Sequence, residues 1–195
     1  NKDFKNALAV SETYHKAHPE NYIIGMNQAR LLLLNQNYSE AEKILSGLVI
    51  LPFEGATDGH KYYEQAKLML AYEALVKKNN KIAQQKIDES RLWPKQLGVG
   101  EPYPNEKQEI LADWLEAQLN KNTEKSKSLI KKIAETKSVR NPALVMLQSV
   151  AQTLSGQNEA AQKTKKGALN NVKGNSDAYN NLYNSIKNGK IEDYW

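Results

Sequence analysis

Three histidines, a scatter of carboxylates and two glycines in one loop are the residues of this 195-residue chain whose types suit chemistry. His15 and His18 lie three positions apart. On a helix that spacing turns both imidazoles to one side, but a zinc site needs three or four ligands and no further one follows at helical spacing. Glu54, Asp58 and Glu64 supply the oxygen donors that calcium takes, yet their spacing is not that of a calcium loop, and scattered carboxylates are ordinarily solvated. Gly98 and Gly100, in QLGVGEP, lack the third glycine and the lysine of the phosphate-cradling loops and follow a proline where a strand is required. They turn the chain, and Pro94, Pro102 and Pro104 stiffen it. The chain has no cysteine, which removes disulfides and thiolate catalysis and argues against a Cys-based zinc site. No nucleophile stands beside a legible base, so the expectation is no enzyme, no metal and no cofactor.

Charge excludes a little more. Lysines crowd residues 121–137, and clustered lysine attracts phosphates in a salt-sensitive, sequence-independent way. Only Arg140 accompanies them and no aromatic residues interleave for base stacking, so the run reads as a solvated helix face and a nucleic acid is not the expected partner. The formal charge of +5 is modest, and an apolar fraction of 40% supports a continuous core in a single domain over residues 1–195. No apolar run approaches the roughly 18 residues of a membrane span. The sequence starts at Asn1 without an initiator methionine, and we expect it to be the C-terminal part of something longer.

The elements that position these residues are helical hairpins. Residues 22–52 carry two amphipathic patterns around one polar turn, with Ala29, Leu32, Tyr38, Ala41, Leu45, Leu48 and Pro52 at the contact positions. Ser39 and Glu42 form a capping box at the start of the second helix. Residues 61–94 repeat the unit: Ala71 to Ala83 copies the twelve-residue step of Ala29 to Ala41, and Ala83 to Pro94 copies the eleven-residue step of Ala41 to Pro52. Upstream, Phe4 and Ala7 precede Tyr38 and Ala41 by 34 positions, so residues 3–21 form the second helix of a half-repeat and leave Phe4, Leu8 and Val10 open. Downstream, Asn105 with Gln108 and then Asn141 with Pro142 open two further hairpins, in which Ser126 and Ala160 are again 34 apart and Gly156 marks a turn. A last helix over residues 176–188, with Tyr179, Leu182, Tyr183 and Ile186 on one face, ends the array.

This spacing resembles the tetratricopeptide repeat, whose period is 34 residues. The resemblance implies an all-α fold, a right-handed solenoid of about nine to ten helices that acts as a binding scaffold without chemistry of its own. The two irregular segments, PFEGATDG and WPKQLGVGEPY, resemble parts of the tetratricopeptide tail of large bacterial envelope proteins that carry a domain of unknown function. That likeness implies a bacterial envelope or periplasmic setting. In the repeat register the first helix of each pair lines a groove, which puts Met26, Asn27, Arg30 and Leu33, then Gln65, Leu68 and Tyr72, on the partner-binding wall. The alternative is that Met26, Leu33 and Leu68 are core. Family members that clamp a C-terminal carboxylate use several Lys, Arg and Asn there, and only Asn27 and Arg30 are eligible here.

The inserted residues 55–59 and 98–103 flank the third hairpin and are expected to leave the stack at one end and meet in a ridge. Phe53, Glu54, Asp58, Trp93, Leu97 and Tyr103 then form a second recognition surface, or Phe53 and Trp93 simply pack on the hairpin ends. The functional expectation is a non-catalytic protein- or peptide-binding scaffold whose partner is another protein, a peptide or an upstream domain of the same chain. The alternative is a structural spacer or oligomerisation module for an upstream catalytic or carbohydrate-handling domain, which the open half-repeat motivates.

Overall fold

The computed structural model describes residues 3–52, 56–98, 106–135, 142–172 and 176–187, and the chain is all-α: no strand occurs among these residues. The helices in order are α1 (Phe4–Ala17), α2 (Tyr22–Leu34), α3 (Tyr38–Gly47), α4 (Asp58–Val76) and α5 (Asn80–Ser90). After a short 3-10 turn at Lys95–Leu97 come α6 (Glu106–Leu119), α7 (Thr123–Glu135), α8 (Pro142–Leu154), α9 (Asn158–Asn171) and α10 (Ser176–Lys187). Each helix packs on its neighbour in the chain from α1 through α9, and α2 also packs on α4, α4 on α6, and α8 on α10.

One turn, used four times, makes the hairpins α2/α3, α4/α5, α6/α7 and α8/α9. In each, a residue with positive φ is followed by one whose N–H closes back five positions onto the first helix. The left-handed residues are Gln36, Lys78, Lys121 and Gly156. The closing bonds run from Asn37 N to Leu32 O (2.9 Å), Asn79 N to Ala74 O (2.8 Å), Asn122 N to Ala117 O (2.9 Å) and Gln157 N to Gln152 O (2.8 Å). This is the Schellman arrangement, which satisfies carbonyls that a helix C-terminus otherwise leaves orphaned. It sets the two helices of a pair at a fixed register, so the twelve-residue step carries small residues into the contact. Ala29, Ala41, Ala71 and Ala83 are fully buried there. The last hairpin uses Ser149, whose hydroxyl donates to the Ala161 carbonyl at 2.7 Å.

That register corrects three expectations. Ser126 is buried, but its counterpart is Ala161, since Ala160 is exposed. Counting from the turns, the last period is 35 residues. The capping box does not form: Asn37 is the N-cap of α3, and Glu42 is drawn instead to the ammonium groups of Lys67 and Lys86. The insertion before the third hairpin is shorter than its composition suggests, because Asp58, Gly59 and His60 are already the first turn of α4, with Asp58 paired to Lys61 at 3.0 Å. Asn105 and Asn141 lie outside the described residues, as does the side chain of Gln108.

Candidate binding surfaces

The wall that the repeat register predicts is built by α2 and α4, and its members do not share one environment. Asn27 and Arg30 are exposed on α2, and Met26 is half-buried against the core. On α4, Gln65 and Tyr72 are buried, and so are Leu33 and Leu68, the residues for which a core role was the alternative. The occupant over Tyr72 is α10. The Ser185 hydroxyl lies 2.9 Å from the Tyr72 hydroxyl, and the Tyr179 hydroxyl donates to the Leu34 carbonyl at 2.8 Å. Leu34 is the last residue of α2, so its carbonyl has no helical partner and is a ready acceptor.

Tyr38, the first residue of α3, stands beside both tyrosines. Burial, with Tyr179, Glu73 and Tyr72 close by, pushes its hydroxyl well above the usual phenol range, and that hydroxyl has no hydrogen-bond partner. The expectation that α10 merely ends the array therefore needs correcting. It rests on α8 and α9, with Lys165 3.8 Å over the Tyr183 ring, but its other side reaches back to the second and fourth helices.

Of the two inserted segments, Ala56 and Gly98 come together and so do their flanks, while residues 55 and 99–103 lie outside the described residues. The Ile50 N–H donates to the Gln96 carbonyl at 2.8 Å, and the His60 ring stacks on Trp93 at 3.5 Å with 12° between the planes. A Cβ on Gly98, whose φ is 136°, would stand 2.1 Å from the Ala56 carbonyl oxygen, so only glycine lets the segments touch. In the described part of this ridge Leu97 is fully buried, Trp93 half-buried and Asp58 exposed. Phe53, Glu54 and Tyr103 lie outside the described residues. Beneath the ridge His60 is only 3% exposed and both ring nitrogens are without a partner. Burial lowers its pKa to about 4, so the imidazole is neutral.

Sequence reasoning passed over one constellation. Lys67 is 5% exposed and sits between Glu42 of α3 and Glu89 of α5, bonded to both, the latter at 2.6 Å. Lys86 closes a four-membered ring with the same carboxylates, at 2.5 and 3.1 Å. Burial alone would lower the Lys67 pKa, but the hydrogen bonds to Glu42 and Glu89 outweigh it and hold the ammonium charged. Burial alone would raise Glu89, but hydrogen bonds from Lys67, Gln85 and Lys86 take it down to about 2. A lysine held protonated is no nucleophile, and this ring ties three helices together. Its signal was a lone charge inside QAKLMLA, a run otherwise too apolar for an exposed lysine.

Glu64, half-buried on α4, is the other perturbed group. Burial first, then the neighbouring Glu109, raise it to about 8. Elsewhere a cavity of about 640 Å³ opens between α1, α2 and α3, lined by Leu8, Glu12, His15, Gln28 and Ile44 among others, with the Gln28 Oε1 unpartnered. His18 caps the C-terminus of α1 outside the helix, away from the regular spacing that would pair it with His15. Among the described residues no three His, Asp or Glu side chains stand together as a metal site requires. The lysines of α7 are exposed, while Ser126, Leu129, Ile133 and Ala134 form its buried side. No helix among the described residues is long and apolar enough to cross a membrane. Comparison with protein-family models, with curated proteins and with solved structures finds no match.

Proposed function

We propose that this chain is a non-catalytic, tetratricopeptide-like scaffold that binds a protein or peptide on the wall of α2 and α4. The observation that carries the reading is α10 itself: an amphipathic helix, 113 to 145 residues away in sequence, is bound to that wall through a hydroxyl at each end. A surface that holds one helix through defined donors and acceptors offers polar chemistry by which a partner's helix can be recognised. Asn27 and Arg30, exposed on the same helix as Leu34, supply polar specificity beside it.

The test is to pan a random-peptide library against the immobilised chain and to measure the selected peptides on Arg30→Ala. We expect a loss of about tenfold, the size of one charged hydrogen bond. A library that yields no binder refutes the scaffold reading. A second reading, an oligomerisation module, is favoured by one feature: Val10 and Tyr14, one turn apart on α1, are 58% and 60% exposed. Sedimentation equilibrium decides it, since a monomer at high micromolar concentration is incompatible with that role.

A further inference from the structure

The contact between α10 and the α2–α4 wall has the construction of a latch. Close helix packing of α10 is with α8 and α9, whereas its reach to α2 and α4 runs through the side chains of Tyr179 and Ser185. The helix has twelve residues, three of them asparagine (Asn180, Asn181 and Asn184), a length and composition that do not sustain a helix alone. Its order therefore depends on its seat. The seat is imperfectly filled, because the Tyr38 hydroxyl beside Tyr179 is buried and bonded to nothing. A buried hydroxyl without a partner disfavours the closed state relative to one in which water or a ligand reaches it.

We infer that α10 latches the wall shut and that the ligand which opens it is a partner's amphipathic helix of the same chemistry. That helix presents a tyrosine to the Leu34 carbonyl and, three and four residues on, apolar side chains in the manner of Leu182 and Tyr183. This rests on the scaffold reading and adds the class of ligand and the means of regulation. The orphan carbonyl at the end of α2 selects for a donor at that place, and an aliphatic side chain there leaves it unsatisfied. Binding and latching exclude one another, so the affinity in trans is reduced by the fraction of molecules whose latch is closed.

The probe is a fluorescein-labelled peptide with the sequence of residues 176–187, titrated by anisotropy against the native chain and against Tyr179→Phe/Ser185→Ala. The double substitution removes both latch hydroxyls and leaves the wall intact. The expected result is about tenfold tighter binding to the double variant, equivalent to about 1.4 kcal/mol, and about tenfold weaker binding to it of a peptide whose first tyrosine is phenylalanine. Ser185→Ala alone, at a less buried position, is the second variant if the first fails to fold, with the same direction of change. Equal affinity for native and variant chains, or no binding to either, overturns the latch. Library peptides that bind without regard to the latch substitutions would overturn it too while leaving the scaffold reading standing.

Discussion

His60 is the group by which the solvent can report on the packing of the ridge. Its ring is buried against Trp93 with neither nitrogen bonded, and burial lowers its pKa from 6.5 to about 4. The unfolded chain therefore binds a proton between these two values that the folded chain does not, and stability rises with pH across the window. The contribution is fully present above the unfolded value and is lost as pH falls from about 6.5 towards 4. At pH 5 the two-state linkage relation gives a loss of about 2 kcal/mol relative to pH 7.5, at 1.36 kcal/mol for each pKa unit. Phenylalanine at this position keeps the ring stack and has no nitrogen to protonate. Urea unfolding of the native chain and of His60→Phe at pH 7.5, 6.5, 5.5 and 5.0 isolates the term, because every other titrating group is common to both. The difference should grow by about 2 kcal/mol towards pH 5, or about 4 to 8 °C in Tm for a chain of this size. A difference that stays flat would mean that the imidazole charges inside the fold, and the argument from its burial would be wrong.

Glu64 carries the opposite sign: its folded value is raised to about 8, so its contribution is complete below about 4.5 and is lost as pH rises through 8. Glu64→Gln should abolish that alkaline decline in a thermal melt series from pH 6 to 9. Lys67→Met leaves Glu42 and Glu89 half-buried with Lys86 as their shared cation, and should cost about 3 kcal/mol in urea unfolding; a cost under about 1 kcal/mol would mean that water replaces the ammonium. Lys121 holds a left-handed φ of 54° at an exposed turn, so Lys121→Gly should raise stability by about 0.5 to 1 kcal/mol, the reverse of what glycine does inside a helix.

How much was legible follows from where each constraint resides. Helix periodicity and the small residues at twelve-residue steps are local, and the hairpins appear with Ala29, Ala41, Ala71 and Ala83 buried as the pattern requires. The fold class is local in the same sense, since it follows from the period of the apolar residues. The turns were half legible. Gly156 announces its positive φ by its type, whereas Gln36, Lys78 and Lys121 adopt the same conformation with side chains that give no such sign. The last repeat is displaced by one residue because its turns, at Lys121 and Gly156, stand 35 positions apart. The meeting of the two inserted segments was only partly readable: Pro52 and Pro94 recur at the same step from Ala41 and Ala83, but α3 ends at Gly47 and α5 at Ser90, so the prolines lie in the segments and do not end the helices.

What the tertiary structure alone decided is which polar groups face one another. Glu42 fits a capping box by its spacing from Ser39, but α3 is capped at Asn37, which leaves Ser39 inside the helix, and Glu42 pairs with Lys67 and Lys86 on the next hairpin. His60 looks solitary in sequence, and only the stack on Trp93 makes it a buried base. The placement of α10 is the largest such decision. Its apolar face is plain from Tyr179, Leu182 and Tyr183, but a stripe specifies that a helix must be covered and not by what. The Leu34 carbonyl and the Tyr72 hydroxyl, more than a hundred residues upstream, gain meaning as its partners only once the chain has folded back on itself.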